Sequence, residues 1–254
     1  MLDSVFNQTF RDFEIVIVND GSTDDSKQIL DAVRNERIRI IHTGHLGPSR
    51  ARNTAVKNSR ADIIFNLDAD DKIANDLLEK GYQAMMTNRN AGIVYSDCSY
   101  FGARTGIMKA GKYSLKGMLE ENKIISAAFF RKTDWEKTGG YSECFSYGLE
   151  DWDFWLSIIE LGREVIKVEE SMVYYRKYKS MSESRSGRRK ADREKSENAL
   201  SEIFARHKKL YSLYPALYSR FSKIEAGRKK EGPLELWWKN KFFGFKQKYH
   251  YLIR

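Results

Sequence analysis

Apolar and polar positions follow one another along this chain in short blocks. The stretch "FEIVIVND" (13–20) is a near-continuous β-branched run ending in a turn signal, the pattern of a strand buried on both faces of a parallel sheet. The "GSTDDSKQILDAVRN" that follows reads as a helix, with Ser22 and the aspartates suited to its N-terminus and Ile29, Leu30 and Val33 at helical spacing. A second strand is expected at 37–41 ("RIRII"), a helix at 47–59 with Pro48 in its first turn, and another buried strand at 61–68 ("ADIIFNLD"). Strands alternating with helices imply βαβ units and a mostly parallel sheet, in which ligands bind at the carboxyl ends of the strands. Asp20 and Asp68 both fall at such ends.

Further along, the pattern predicts a helix over 75–88, a strand over 92–97, an irregular hairpin from Tyr100 and a strand over 125–132. A helix from Glu150 to Leu161 would bury Trp152, Trp155, Leu156 and Ile159, with Gly162 as its C-terminal cap. Residues 165–178 suggest two more strands. "SMSESRSGRRK" is polar and poor in apolar residues, the composition of a flexible segment, and from Ala191 the chain reads as helical, basic and aromatic.

Charge divides the chain in the same place. Residues 185–254 hold 19 Lys and Arg against 7 Asp and Glu, whereas residues 1–184 are slightly acidic, with 25 against 28. A nucleic-acid enzyme carries positive charge around its site, so the acidic first part weighs against that class. Two cysteines without CxxC spacing indicate neither a disulfide framework nor a zinc site. No apolar run reaches the roughly 18 residues of a membrane span, and the amino terminus lacks the pattern of an export signal, so a cytoplasmic protein is expected.

Three places carry candidate chemistry. In "VNDGSTDDS" Asp20 either initiates an Asp-Gly turn or accepts hydrogen bonds from a nucleobase or ribose. "FNLDADDKI" packs Asp68, Asp70 and Asp71 into four positions after a hydrophobic strand, where like charges are costly unless a cation or hydrogen bonds compensate. Mg²⁺ and Mn²⁺ are hard, oxygen-seeking ions, and an Asp-x-Asp at a strand end can place one carboxylate on the metal and the other on a sugar or ribose. In "YGLEDWDFW", Glu150 and Asp151 suit the positive end of a helix dipole, and a carboxylate there beside a cleft could equally serve as general base toward a hydroxyl.

Taken in series, "FNQTFRDFEIVIVNDGSTDDS", "GPSRARNTAV", "ADIIFNLDADD", "GGYSE", "GLEDWDFWLSI" and "YYRKYKSMSES" resemble the family 2 glycosyltransferases of the GT-A fold, over roughly residues 2–182. The resemblance implies an α/β, Rossmann-like domain at 1–182 followed by a basic, aromatic-rich helical tail at 183–254. It implies metal-dependent, inverting transfer from a nucleotide-diphosphate donor, usually a UDP-sugar, to a hydroxyl of a glycan or lipid-linked acceptor. By the same likeness Asp20 would contact uracil, Arg52 would lie near the nucleotide, Asp68 would meet ribose or sugar, Asp70 would bind Mn²⁺ or Mg²⁺, and Asp151 would be the base. The "QxxRW" of processive synthases is absent, and Tyr178 stands where the family often has the histidine of "Y-R-x-H".

The family's usual first strand, which carries "P-x-Y-N" and lies inside the sheet, is also missing. The expectation is therefore two unpaired strand edges that invite pairing with another chain, and a natural protein that begins upstream of Met1 or is inactive as written. A catalytically inactive scaffold with residual nucleotide binding stays open as an alternative, as does a membrane-surface or nucleic-acid binding protein working through the tail. In that tail Trp237, Trp238, Phe242, Phe243 and Phe245 are interleaved with lysines, as in segments that lie on anionic membranes, here the inner face.

Overall fold

The computed structural model describes residues 1–145, 148–178, 190–227 and 250–253. A short helix α1 (Leu2–Phe6) leads into β1 (Ile15–Asp20), α2 (Ser26–Asp31), β2 (Ile38–Thr43), α3 (Pro48–Asn58), β3 (Ile63–Asp68), β4 (Lys72–Ile73) and α4 (Leu77–Thr87). Then come β5 (Ala91–Gly102), β6 (Gly106–Met108), α5 (Leu115–Glu120), β7 (Phe129–Arg131), α6 (Lys132–Thr138), α7 (Glu150–Glu160) and β8 (Glu164–Lys177). Helices α8 (Lys190–Arg206), α9 (Lys208–Tyr211) and α10 (Pro215–Gly227) and the strand β9 (His250–Ile253) follow.

The strands form one sheet in the order β2-β1-β9-β3-β7-β5-β8-β4, with β6 on the flank of β5. From the ladders, β1, β2, β3, β5 and β8 share one direction, and β9, β7, β4 and β6 run against them. The unbroken apolar runs are explained by burial on both faces, since every residue of β1 and of β3 is buried. Val16, Val18 and Ile64 point into a core shared with α3 and α7, and Ile15, Ile17, Ile63, Phe65 and Leu67 into a second core under α1 and α4.

Three expectations are corrected. Ser22 does not cap α2; its backbone N–H and its hydroxyl both donate to Asn19 Oδ1 in a turn, and with α2 only six residues long Leu30 is buried while Ile29 is 65% exposed. Residues 164–177 are a single bent strand, in which Glu170 at φ 57° lets residues 169–171 bulge out between the pairs Ser96↔Val168 and Asp97↔Met172. Most consequentially, the edges of β1 and β3 are not left open. Residues 250–253 lie between them as an antiparallel strand, pairing Ile15–Val18 on one side and Phe65–Asp68 on the other. The free ladder groups of two neighbouring parallel strands are what recruits a short apolar segment there.

The segment 190–227 also does more than carry charge. Ile203, Phe204, Leu210, Tyr211, Leu217 and Phe221 belong to the same core as α7, and the Tyr211 hydroxyl donates to the Leu119 carbonyl at 2.9 Å. Trp237, Trp238, Phe242, Phe243 and Phe245 lie outside the described residues. No helix among the described residues is long and apolar enough to cross a membrane.

Candidate functional site

At the carboxyl end of β1, Asp20 is 4% exposed and tied to the loop that enters α3. Its Oδ1 accepts from Thr43 Oγ1 at 2.9 Å and from the Leu46 N–H at 2.7 Å, and Oδ2 accepts from the Gly47 N–H at 2.7 Å. Gly21 makes this approach feasible: its φ is 69°, and a Cβ there would stand 2.8 Å from the His45 nitrogen.

Arg52, on α3, is the hub of the next cluster. One guanidinium nitrogen donates to Glu150 Oε1 and the other to Asp68 Oδ1 at 3.3 Å, while the carbon between them lies 5.5 Å from the centre of the Tyr141 ring. All three charged side chains are under 10% exposed. Burial opposes the guanidinium's charge, but Glu150 and Asp68 more than compensate and hold its pKa above the ordinary value. Tyr141 is set by Asn53, whose Nδ2 donates to the Tyr141 carbonyl at 2.8 Å and whose Oδ1 accepts from the Tyr141 N–H and from Trp135 Nε1, both at 2.9 Å. The preceding Gly140, at φ 78°, has no room for a Cβ beside Trp135 and Asn53.

Beyond Asp68 the chain turns tightly, with the Asp71 N–H donating to the Asp68 carbonyl at 3.1 Å. Carboxylate oxygens of Asp68, Asp70 and Asp71 lie within 4.8 Å of one another. Arg176 of β8 fastens this turn: its backbone N–H donates to Asp71 Oδ1 at 2.9 Å and its Nε to the Asp70 carbonyl at 3.0 Å. An all-oxygen set of carboxylates at a strand end has the donor chemistry that a hard divalent cation takes, so the residues present fit Mg²⁺ or Mn²⁺.

Asp151 is the second residue of α7, which starts at Glu150 after Leu149 in the left-handed region at φ 72°. Its Oδ1 accepts from the Trp152 N–H at 2.7 Å. Burial first, and then the neighbouring Glu150 carboxylate, push the Asp151 pKa up to about 7, with Arg52 opposing them. The helix is anchored by Trp152, whose Nε1 donates to the Met118 carbonyl at 2.8 Å, and by the wholly buried Trp155.

Of the residues singled out from the sequence, Arg52 and Asp68 are in contact, Asp70 is adjacent to Asp68, and Asp151 lies within the electrostatic reach of both Arg52 and Asp68. Asp20 stands apart, at the end of β1 on the far side of β9. Tyr141, Asn53 and Arg176 complete the cluster without having been assigned a site role from the sequence, and Glu150 was weighed there only as a helix-start acid beside Asp151; the "GGY" turn and the Arg-Asn pair inside α3 are the local signals for Tyr141 and Asn53.

Known proteins resemble this chain in sequence and in fold. The profile of glycosyl transferase family 2 matches residues 1–153. A chondroitin synthase of Escherichia coli is 30% identical over 169 residues, 63% of this chain and 24% of that protein. An uncharacterized glycosyltransferase of Haemophilus influenzae is 38% identical over 88 residues, 34% of this chain and 35% of that protein. The chain thus spans between 15% and 35% of the length of such curated relatives. Among solved structures, residues 1–349 of S. aureus TarS with UDP-GlcNAc superpose with a TM-score of 0.67 at 17% identity, covering 92% of this chain and 72% of that one. Fold and sequence profile agree, and the chain belongs to glycosyl transferase family 2, with the GT-A α/β architecture.

Proposed function

We propose that this protein transfers a sugar from a UDP-sugar to a hydroxyl of a glycan or lipid-linked acceptor, with inversion and with a divalent cation. The observation that carries the reading is Asp151: a carboxylate at the start of α7 with its pKa raised to about 7, beside the Arg52–Glu150–Asp68 cluster. A general base works best when its pKa lies near the operating pH. The relatives named above include a chondroitin synthase, a hyaluronan synthase of Pasteurella multocida is 28% identical over 170 residues, and two of the S. aureus TarS structures hold UDP or UDP-GlcNAc.

In this reading Asp151 takes the proton of the acceptor hydroxyl as its oxygen attacks the anomeric carbon from the face opposite the leaving diphosphate, and that single displacement inverts the configuration. Arg52 holds Asp68 in a fixed position for ribose or sugar hydroxyls and keeps Asp151 from rising further. Asp70, beside Asp68 and Asp71, would hold the Mg²⁺ or Mn²⁺. When bound, that ion supplies positive charge for the diphosphate that departs. Asp20 keeps acceptor capacity for uracil: a carboxylate offers about four lone-pair sites, three are used by Thr43, Leu46 and Gly47, and the remaining one can accept from an imide N–H. The catalytic unit is assigned to residues 1–182 together with residues 190–227 and 250–253, which pack on it, and the basic, aromatic-rich residues 232–249 are assigned contact with an anionic membrane face.

The test is turnover of a panel of UDP-sugars, read as UDP release with and without Mn²⁺ and with saccharide acceptors present. Metal-dependent release that rises with acceptor supports the reading. UDP binding without release from any donor would leave the inactive scaffold in its place.

A further inference from the structure

His207 sits at the joint between α8 and α9 and is 2% exposed. Its two ring nitrogens face two acids of α7: Nε2 lies 3.0 Å from Asp153 Oδ1, and Nδ1 lies 3.3 Å from Glu160 Oε1. Those acids are two helical turns apart, about 10 Å along the axis, so one ring braces much of the length of α7. Asp153 is wholly buried and also accepts from Arg206 Nε at 2.6 Å.

A neutral imidazole can donate from one nitrogen only, whereas an imidazolium donates from both. With a carboxylate at each nitrogen, the charged ring is the form that satisfies both contacts. Burial favours the neutral ring, yet the hydrogen bonds and charges of Asp153 and Glu160 outweigh it and raise the His207 pKa above the ordinary histidine value. The other charged or titratable groups nearby are Arg206 and Glu202 of α8, Lys208 of α9, which is paired with Glu225 of α10 at 2.8 Å, and the Cys144 thiol, raised by burial and so kept protonated. His207 is the group of this set that belongs to the residue type whose ordinary pKa lies closest to neutral pH.

We infer that His207 is a positioning residue: as an imidazolium bridging Asp153 and Glu160 it fixes α7 against α8 and α9, and so sets where Asp151 stands relative to Arg52 and Asp68. The inference rests on the reading of Asp151 as the base. Asp153 is in the same first turn as Asp151, and α7 is also held by the Arg52–Glu150 pair and by Trp152. Loss of the His207 proton removes one of the two bridges, because the neutral ring can donate from one nitrogen only. The raised pKa means the brace is complete below the ordinary histidine pKa and is lost as pH rises through the folded-state value.

The test compares the pH profile of kcat for transfer, with a UDP-sugar that turns over in the panel above, between wild type, His207→Gln and Glu160→Gln, and follows the histidine rings by NMR titration. The wild type should show an alkaline fall in kcat that coincides with the His207 titration. His207→Gln should lose that fall and run about 10 to 100-fold slower at neutral pH, the scale of a misplaced catalytic group, with donor KM within about twofold. Glu160→Gln, at a position 28% exposed, should fold as the wild type and move both the alkaline fall and the His207 titration to lower pH. Wild-type kcat and an unchanged alkaline fall in His207→Gln overturn the inference, and so does an unmoved fall in Glu160→Gln should His207→Gln not fold. Wild type that turns over no donor at any pH overturns the proposed function and the positioning role together, whereas turnover with unchanged profiles overturns the positioning role alone.

Discussion

Arg52 and Glu150 are 98 positions apart in the chain and meet as a buried ion pair, both under 10% exposed, joining the helix after the second strand to the helix that carries Asp151. Burying two charges is costly, and the pair is tolerable because Arg52 also serves Asp68 and lies over Tyr141. The pair therefore sets both the stability of the site and the charge felt by Asp151.

Arg52→Ala should destabilise the fold by about 3 to 5 kcal/mol, because it strands Glu150 and Asp68 as buried carboxylates. Denaturant unfolding of the purified variant measures it. A loss below about 1 kcal/mol would mean that water reaches the cluster.

The raised pKa of Asp151 makes two pH predictions. If it is the base, kcat/KM should fall as pH drops below about 7, and Glu150→Gln, which removes the carboxylate that helps push Asp151 up, should move that fall to lower pH. In stability the sign is the reverse of the usual carboxylate. The folded pKa lies above the unfolded one, so the Asp151 contribution to stability is fully present below about 4 and is lost as pH climbs from there to about 7. Asp151→Asn should then melt higher than wild type at pH 8 and equally at pH 4, while transfer drops by roughly two to four orders of magnitude and donor affinity holds. A variant with an unchanged rate but lost UDP affinity reverses the assignment.

Asp70→Asn should abolish the gain in UDP affinity that Mn²⁺ confers, since it removes an anionic ligand from the cluster at the end of β3. Calorimetric titration of UDP with and without metal decides it, and an unchanged metal effect would shift the role to Asp71.

Much of this was legible in the sequence where the signal is local. The apolar run before Asp68 placed the acids at a strand end, and the spacing of Trp152, Trp155, Leu156 and Ile159 gave the buried face of α7. Period and polarity say nothing about which remote side chain an acid will meet, so Glu150 could be read as a helix-dipole acid but not as the partner of Arg52. Charge also hides structure: the lysines and arginines after residue 185 dominate the composition of a segment whose apolar stripe of Ile203, Phe204, Leu210 and Tyr211 joins the core. His207 carries no local signal of its role, because the two acids that hold it lie on a helix about 50 residues earlier.

The strand β9 was the least legible element, four residues of "HYLI" with no turn before them that marks a hairpin. Only the empty position between two parallel neighbours gives it meaning. Antiparallel pairing on both sides lets His250–Ile253 close ladders with Ile15–Val18 and with Phe65–Asp68, at the strands that end in Asp20 and Asp68. Each buried amide left without a partner costs about 1 to 3 kcal/mol, against a total stability of roughly 5 to 15 kcal/mol. Ending the chain after Tyr249 should therefore lower the melting temperature, lower UDP affinity by loosening the ends of β1 and β3, and turn the protein toward self-association through the two opened edges. Sedimentation velocity at several concentrations and UDP titration measure this, and a peptide of residues 249–254 added in trans should restore the monomer. If the shortened chain stays monomeric, melts as the full chain does and binds UDP as tightly, β9 does not close the sheet in solution.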